Sequence, residues 1–358
     1  MSDLEIDFHD GLQESINDSS SAANSEENIE QSEPNSSSRP TVLSAGPDRE
    51  YHLANHPLYQ RPVQILTNAI KEAFLIASDA VRFKRLGCSF LADFRAGKST
   101  ALEMIARDLA DVLPDVACQL VSAITHDAVT ERTFYGDLLI AFGLPIDGSA
   151  QDRSSRLRGA IITACINAGG RHFCLFIDEG QNWGIREYTF LRDFSNQLRQ
   201  DDRYVLSTVI FGDLRLEEIA SSFRSRRKDL WARFLMKPEA FAGIRSIEDL
   251  KFFLSEYDNI KRCEYPAGSK LSYSEFFLPR AYASGWRLAN EAPNAWDAFV
   301  RSAANVNRKL GDIGMQWVGD TVTQFLTAQM ASDVAEFKSS SDDWDAAVLH
   351  SKFIDSLI

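Results

Sequence analysis

Residues 87–92 (Gly-Cys-Ser-Phe-Leu-Ala) form an apolar run of strand length, and the chain then turns through Gly97-Lys98-Ser99-Thr100 into an amphipathic stretch. That stretch, 99–113, places Leu102, Ile105, Leu109 and Leu113 on one helical face and is stopped by Pro114. A buried strand, a tight loop and a helix in that order leave few alternatives. The loop must turn backbone N–H groups inward, and the helix N-terminus adds partial positive charge at the same point. Such a nest takes phosphate oxygens. The pattern G-x-x-x-x-G-K-[ST] is met by Ala92-Asp93-Phe94-Arg95-Ala96-Gly97-Lys98-Ser99, followed by Thr100. The expected phosphate cradle is therefore Asp93, Phe94, Arg95, Ala96, Gly97, Lys98, Ser99 and Thr100. Lys98 would reach the β- and γ-phosphates, and the Ser99 hydroxyl would ligate Mg²⁺. Ala92 stands where the pattern has its first glycine. Alanine disfavours positive φ, which predicts a tilted loop entrance and weaker nucleotide affinity.

The acids such a site requires come from Phe173-Cys174-Leu175-Phe176-Ile177-Asp178-Glu179, five apolar residues ending in two carboxylates. A strand buried on both faces delivers its last residues to the C-terminal edge of a parallel sheet, where ligands of open α/β sheets bind. Asp178 is the expected second Mg²⁺ ligand. Glu179 is the expected base that orients and deprotonates a water. By itself an apolar strand ending in an acidic turn is common; paired with the phosphate loop it points to ATP and Mg²⁺ as ligands and to ATP hydrolysis.

Further apolar strands are expected at 116–124 and 204–211, and helices at 59–80, 134–142, 157–168 and 188–199. The alternation implies an α/β fold with a parallel sheet and flanking helices. From about residue 237 helical periodicity dominates, which predicts a small C-terminal helical lid. Residues 1–46 hold ten acids and one base, Arg39, a net charge of −9 out of −13, which leaves −4 for the remainder. So acidic and Ser/Asn-rich a segment is expected to be a disordered tail, with 4–16 able to form a helix on a partner. The expected organisation is a tail at 1–46, a nucleotide-binding core at 47–240, a helical lid at 241–335, and a linker with a short helix at 336–358.

The order of Lys98-Ser99, Asp178-Glu179 and the strand ending in Gly212-Asp213 resembles P-loop NTPases of the AAA+ class. Within it the chain resembles the TniB/TnsC transposition regulators and their ExeA-like relatives. The resemblance is carried by His56-Pro57-Leu58-Tyr59, by Phe94-Arg95-Ala96-Gly97-Lys98-Ser99, by Thr130-Glu131-Arg132-Thr133-Phe134-Tyr135, by Phe142-Gly143-Leu144-Pro145, and by Ile177-Asp178-Glu179-Gly180-Gln181-Asn182. It spans about residues 50–330. It implies a homo-oligomer formed on ATP binding, held on double-stranded DNA, that communicates with a transposase and a target-selection protein. It also implies that Arg233 reaches a neighbouring subunit's γ-phosphate, although a local salt bridge explains that residue equally well. Asp213 falls near the place of the polar residue that senses γ-phosphate, where Thr or Asn is usual. Gly311-Asp312-Ile313-Gly314 resembles a turn of the family's lid, and Arg287 is the weak candidate for an arginine from the lid.

Two basic clusters, Arg153/Arg156/Arg158 and Arg224/Arg226/Arg227/Lys228, offer phosphate contacts or solvated helix faces. No base-reading motif is present, so DNA contact is expected to be sequence-independent. The five cysteines are scattered, without C-x-x-C spacing, which favours a reducing compartment. With no signal sequence and no long apolar run, the expected location is cytoplasmic, away from membranes. Two other readings stay open: an ExeA-like or other AAA+ ATPase of secretion, signalling or defence, and a nucleotide-binding scaffold with little turnover.

Overall fold

The computed structural model describes residues 42–60, 64–93 and 95–357, which fall within one unit, Ser38–Ile358. The expected disordered tail lies almost wholly outside the described residues, as does Phe94. In chain order the first elements are α1 (Pro47–Ala54), α2 (Asn68–Arg82), β1 (Gly87–Ala92), α3 (Lys98–Val112), β2 (Val116–Ser122), α4 (Glu131–Ala141) and α5 (Ala150–Asn167). They are followed by β3 (His172–Asp178), α6 (Ile185–Gln197), β4 (Val205–Gly212), α7 (Arg215–Arg226), α8 (Lys228–Phe234) and β5 (Glu239–Phe241). The rest is helical: α9 (Ile247–Tyr257), α10 (Tyr273–Phe277), α11 (Pro279–Ala283), α12 (Ala292–Asn305), α13 (Met315–Gln329) and α14 (Ser341–His350).

The five strands make one parallel sheet in the order β2-β3-β4-β1-β5. β4 lies between β1 and β3, with Leu91 opposite Gly212 and Ile177 opposite Ile210. Successive strand residues alternate faces. Phe173, Leu175, Ile177, Leu206 and Ile210 pack on one side with Leu138, Leu157, Leu191 and Phe223 from the helices there. On the other side Phe90 stacks on Phe211 with ring centroids 4.7 Å apart. Both faces are covered, as the continuous apolarity of the strands requires.

Several boundaries differ from the sequence expectation, and the cause is capping. Helix α2 begins at Asn68, not 59, because Thr67 accepts a hydrogen bond from the Ile70 amide (3.1 Å). Helices α4 and α5 start earlier than their apolar periodicity suggests. Thr130 and Thr133 cap α4 reciprocally, and Ser149 and Asp152 do the same for α5. Strand β5 was not expected at all. It is a three-residue edge strand beside β1, with Phe241 opposite Ala92.

The helical part has its own core, which includes Phe253, Phe276, Phe299, Phe325 and Trp344. Leu58 and Ile65 belong to this cluster rather than to the sheet's. Trp344 of α14 stacks on Phe325 at 3.9 Å and donates its indole N–H to buried Glu291 (3.2 Å). Glu291 also accepts from Trp286 Nε1 (2.8 Å), from Asn294 and from Ser339, so its buried oxygens are met by donors.

Two histidines are buried as neutral rings. His56 accepts the Leu58 amide on Nδ1 among Tyr265, Tyr273, Phe276 and Phe277, and burial drives its pKa down to about 3. His172 contacts the Ser207 hydroxyl (2.9 Å); burial, then the charge of Lys84, lowers it to about 4 against the opposing pull of Asp115. Both values lie below the 6.5 of an unperturbed histidine. The unfolded chain therefore takes up protons first, so the stability contribution is complete above that value. It is lost as pH falls toward 4 for His172 and 3 for His56. Between about pH 7 and pH 5 each histidine is expected to withdraw roughly 2 kcal/mol from the folded state. Urea unfolding of His172→Gln across that range should show a shallower pH slope than wild type; an identical slope would refute the assignment.

Candidate nucleotide site

Because β4 separates β1 from β3, the C-terminal ends of those strands open on the same edge, and their following loops meet across it. The Ser99 hydroxyl donates to Asp178 Oδ2 at 2.6 Å, while the Glu179 amide donates to Asp178 Oδ1 at 2.9 Å. The carboxylate is thus fixed from both sides. Lys98 opens α3, is buried, and sends Nζ back across the loop to the Asp93 carbonyl (3.3 Å).

The loop's shape depends on two left-handed residues, Arg95 (φ 61°) and Gly97 (φ 89°). Ala92 does not behave as expected. It is the last residue of β1, buried, with no positive φ, so alanine imposes no backbone strain there and the reason for expecting a tilt does not apply. Gly97 is the position that needs glycine. A side chain there would combine positive φ with contact against Met315 at 3.4 Å.

Met315 belongs to the lid, which is brought onto the loop by a second close approach. A Cβ at Gly314 would lie 2.9 Å from the Arg95 carbonyl oxygen. One turn of chain further on, the Trp317 ring lies under the Arg95 guanidinium, 4.6 Å from carbon to centroid. The Gly311–Gly314 turn singled out in the sequence is therefore the contact point between lid and phosphate loop.

Glu179 also adopts a left-handed conformation (φ 55°). Its carboxylate is held by the side-chain amide of Gln181, whose own oxygen accepts the Asp213 amide at the end of β4 (3.0 Å). Gln181 therefore links the β3 turn to the residue that follows the neighbouring strand. Asp213 in turn pairs with Arg215 at 2.7 Å. Burial pushes its carboxyl up, but Arg215 and the charge of Lys98 outweigh that and hold it below the usual range.

A cavity of about 500 Å³ opens beside the phosphate loop. Arg95, Gly97, Lys98, Ser99, Thr100 and Glu179 form one end. Leu58, Ile65, Ile70 and Phe253 form apolar walls, and one face of α13 closes the third side. The size and the apolar lining with a polar end suit a small organic anion. The donor set fits Mg²⁺, a hard cation that takes one or two protein oxygens and completes its shell with phosphate and water. Among the described residues no group of three His, Cys, Asp or Glu side chains is placed to hold a metal by itself.

Other residues singled out in the sequence fall elsewhere. Arg233 lies on α8, half buried, donating to Asn196 Oδ1 (2.9 Å) and the Arg192 carbonyl (3.3 Å). Arg287 donates to the carbonyls of Tyr282 and Trp286 and does not line the cavity. The first basic cluster is bound within the chain: Arg153 is buried on the Arg132 carbonyl, while part-exposed Arg156 holds the Pro145 carbonyl and Arg158 pairs with Asp202. In the second, Arg227 is bound to Asp229, whereas Arg224, Arg226 and Lys228 are exposed. Gln181, Tyr257, Met315 and Asp320 were not assigned to the site from sequence. Gln181 alone carried a local signal, lying two residues after Glu179.

Residues 86–220 match the family model described as an AAA domain. The ADP form of the Aeropyrum pernix ORC2 protein aligns with a TM-score of 0.50 at 13% identity, over 80% of this chain and 70% of that one. Its ADPNP-ADP complexes give 0.47 at 11% identity, over 79% and 67%. Domain III of the Thermotoga maritima replication initiation protein DnaA gives 0.44 at 14% identity, over 80% and 95%. No curated protein matches the chain. The sheet, the phosphate loop and the AAA domain match together define a P-loop AAA+ fold. No described helix is long and apolar enough to cross a membrane.

The bridge through Gln181 gives a direct test. Gln181→Leu keeps the bulk but strands the Asp213 amide and frees Glu179, and should lower stability by about 2 kcal/mol. Thermal unfolding at neutral pH measures this; an unchanged melting temperature would show that the bridge does not hold the turn.

Proposed function

We propose that the chain is an ATP-binding and ATP-hydrolysing AAA+ regulator of DNA transposition. In this reading it assembles on double-stranded DNA in the ATP state and links the target DNA, or a target-selection protein, to a transposase. The observation that carries the ATPase part is the 2.6 Å contact of Ser99 with Asp178, beside a cavity that Lys98, Ser99 and Glu179 line. The transposition part rests on the motif resemblance around His56–Tyr59, Thr130–Tyr135 and Ile177–Asn182.

The chemistry follows from the placement. Backbone N–H groups of the Arg95–Ser99 turn and the Lys98 ammonium would take the charge of the phosphates. Ser99 and Asp178 would hold Mg²⁺, whose role when bound is to neutralise the β- and γ-oxygens. Glu179 would orient a water toward the γ-phosphorus and accept its proton as the bond to the β–γ bridging oxygen breaks. Gln181 sets the direction of the Glu179 carboxylate, and Asp213 lies beside it at the end of β4. Arg233 would supply positive charge to a neighbouring subunit's site, which requires it to leave Asn196; hydrolysis would then depend on assembly. Exposed Arg224, Arg226 and Lys228 would meet DNA phosphates without reading bases.

Two measurements test this. Lys98→Ala should weaken ATP binding about 100-fold, the scale of its charge-assisted hydrogen bonds; retained tight binding would remove the phosphate cradle from the argument. Glu179→Gln should cut turnover by about 100-fold or more while trapping an ATP-loaded oligomer on duplex DNA. Sedimentation that finds only monomers with ATP and DNA would end the assembly reading, and a wild type without turnover would leave a nucleotide-binding scaffold.

A further inference from the structure

The sheet has another edge, opposite the phosphate loop, where its parallel strands begin. There β4, starting at Val205, lies between β3, starting at His172, and β1, starting at Gly87. Bonds just ahead of the strands align the three lead-in turns. The Val205 amide donates to the Arg171 carbonyl (2.9 Å), and the Ser207 hydroxyl donates to the Arg85 carbonyl (2.6 Å). Neighbouring strands lie roughly 4.8 Å apart, so the backbones at 85 and 171 are separated by about 10 Å, with 203–204 between them. The turns therefore bring together Lys84, Arg85, Arg171 and Arg203, which are scattered in sequence. Lys84 and Arg203 both hold left-handed backbone there (φ 52° and 64°). Arg199 joins them, because the Tyr204 amide closes its turn on the Leu198 carbonyl (3.0 Å).

All five of these side chains are exposed, and among the described residues none forms an ion pair. In this they differ from Arg158, Arg192 and Arg227, which are tied to carboxylates. Of the acids beside them in chain or register, Asp201 and Asp202 are taken by Arg158, and among the described residues Asp115 alone is free. Burial lowers the His172 pKa first and the charge of Lys84 adds to it, which sets Lys84 near the start of β3. Beyond the first 46 residues the chain still carries more acids than bases, so five unpaired cations at one edge are a local excess. Two aromatic rings interleave with them. Phe83 is 66% exposed, with the Arg85 guanidinium 5.9 Å from its centroid. Half-buried Tyr204 has the guanidinium of Arg171 at the same distance, 5.9 Å.

We propose that this edge binds single-stranded nucleic acid, with the five cations on its phosphates and Phe83 and Tyr204 stacked on its bases. Phosphate contact needs only placed positive charge. Stacking needs bases that are free of a partner strand, and every base offers a face to a ring, so the surface follows a strand without reading its sequence. A duplex keeps its bases stacked on one another and leaves both rings idle. An acidic peptide would meet the cations but bring nothing to stack on Phe83. The surface shares no residue with the phosphate loop or with Arg224, Arg226 and Lys228, so it goes beyond the nucleotide and duplex readings and does not depend on them.

Anisotropy of a short labelled oligothymidylate, titrated with the full chain across a range of salt and without nucleotide, tests it. For wild type, log K against log salt should fall with a slope of about −3.5 when all five cations meet phosphates. Lys84→Gln combined with Arg203→Gln should bring the slope to about −2, and Arg171→Gln alone should reduce its size by about 0.7. Phe83→Ala should weaken binding about tenfold, the scale of one lost stack. It should leave the slope, and the binding of a duplex of the same length, unchanged. Arg224→Gln should bind the oligonucleotide as wild type does. Thermal unfolding should find every variant as stable as wild type, since the altered side chains are exposed. A wild type that fails to bind the oligonucleotide at low salt overturns the proposal, as do unchanged slopes in the cation variants. Equal losses of single-strand and duplex binding in Phe83→Ala also overturn it. So does full binding by Phe83→Ala; if polyglutamate then displaces the oligonucleotide, the edge is a site for an acidic protein instead.

Discussion

The hydroxyl of Ser99 and the carboxylate of Asp178 are 79 residues apart in the chain and 2.6 Å apart in space. That contact depends on the insertion of β4 between β1 and β3. With parallel strands in this order, the first turn of α3 and the end of β3 emerge on one edge, a strand's width apart on either side of Gly212. Neither residue could reach the other if β1 and β3 lay at opposite margins of the sheet. Gln181 uses the same arrangement, reaching from the β3 turn to the amide that follows β4. The carboxylates are therefore positioned by backbone that the sheet itself makes rigid.

The lid is tied to this edge at the loop rather than at the sheet. Gly314 lets the lid backbone approach the Arg95 carbonyl, Trp317 stacks under the Arg95 guanidinium, and Met315 stands where a side chain at residue 97 would meet it. Arg95 and Gly97 are also the residues that hold left-handed conformations, so the strained part of the loop is the part the lid touches. Leu58 and Ile65 join the helical core while α2, just beyond them, packs beside β1 and α3. The lead-in segment thus bridges two hydrophobic clusters, with the cavity bounded by all three parts. In the proposed reading, a ligand that pushes on the loop is felt by the lid through direct contact.

The strands were legible because burial on both faces leaves a continuous apolar run: 87–92 coincides with β1, and 173–177 lies inside β3. The acids after β3 were legible for the same reason, since charge at the end of such a run has only the sheet edge to occupy. Helix starts were not, because the first turn is polar and its signal is the cap. Thr130, Ser149 and Thr67 define it through hydrogen bonds that apolar periodicity does not register. β5 was illegible because three residues are too few to show alternation, and its existence depends on pairing with β1. Ala92 needs no glycine because the sheet keeps that residue extended, and the left-handed turn comes later, at Arg95 and Gly97. Tyr257 and Asp320 carried no motif; they lie on separate helices, and only their shared cavity relates them.

Positive charge was the least reliable guide, and the reason bears on how this protein would meet DNA. Arg153, Arg156, Arg158, Arg192, Arg227 and Arg233 all spend their guanidinium groups on carbonyls, carboxylates or an amide oxygen of the same chain. Runs of arginine here are internal fasteners as much as surface. Outside the acidic first 46 residues the net charge is still −4, so no broad positive field attracts a polyanion. Contact with phosphates would have to come from a local patch, and Arg224, Arg226 and Lys228 at the α7–α8 junction form one. The same junction leads into the helix that carries Arg233. In the proposed assembly, DNA contact and the arginine offered to the next subunit would then share one short stretch of chain, which gives a physical route for bound DNA to influence hydrolysis.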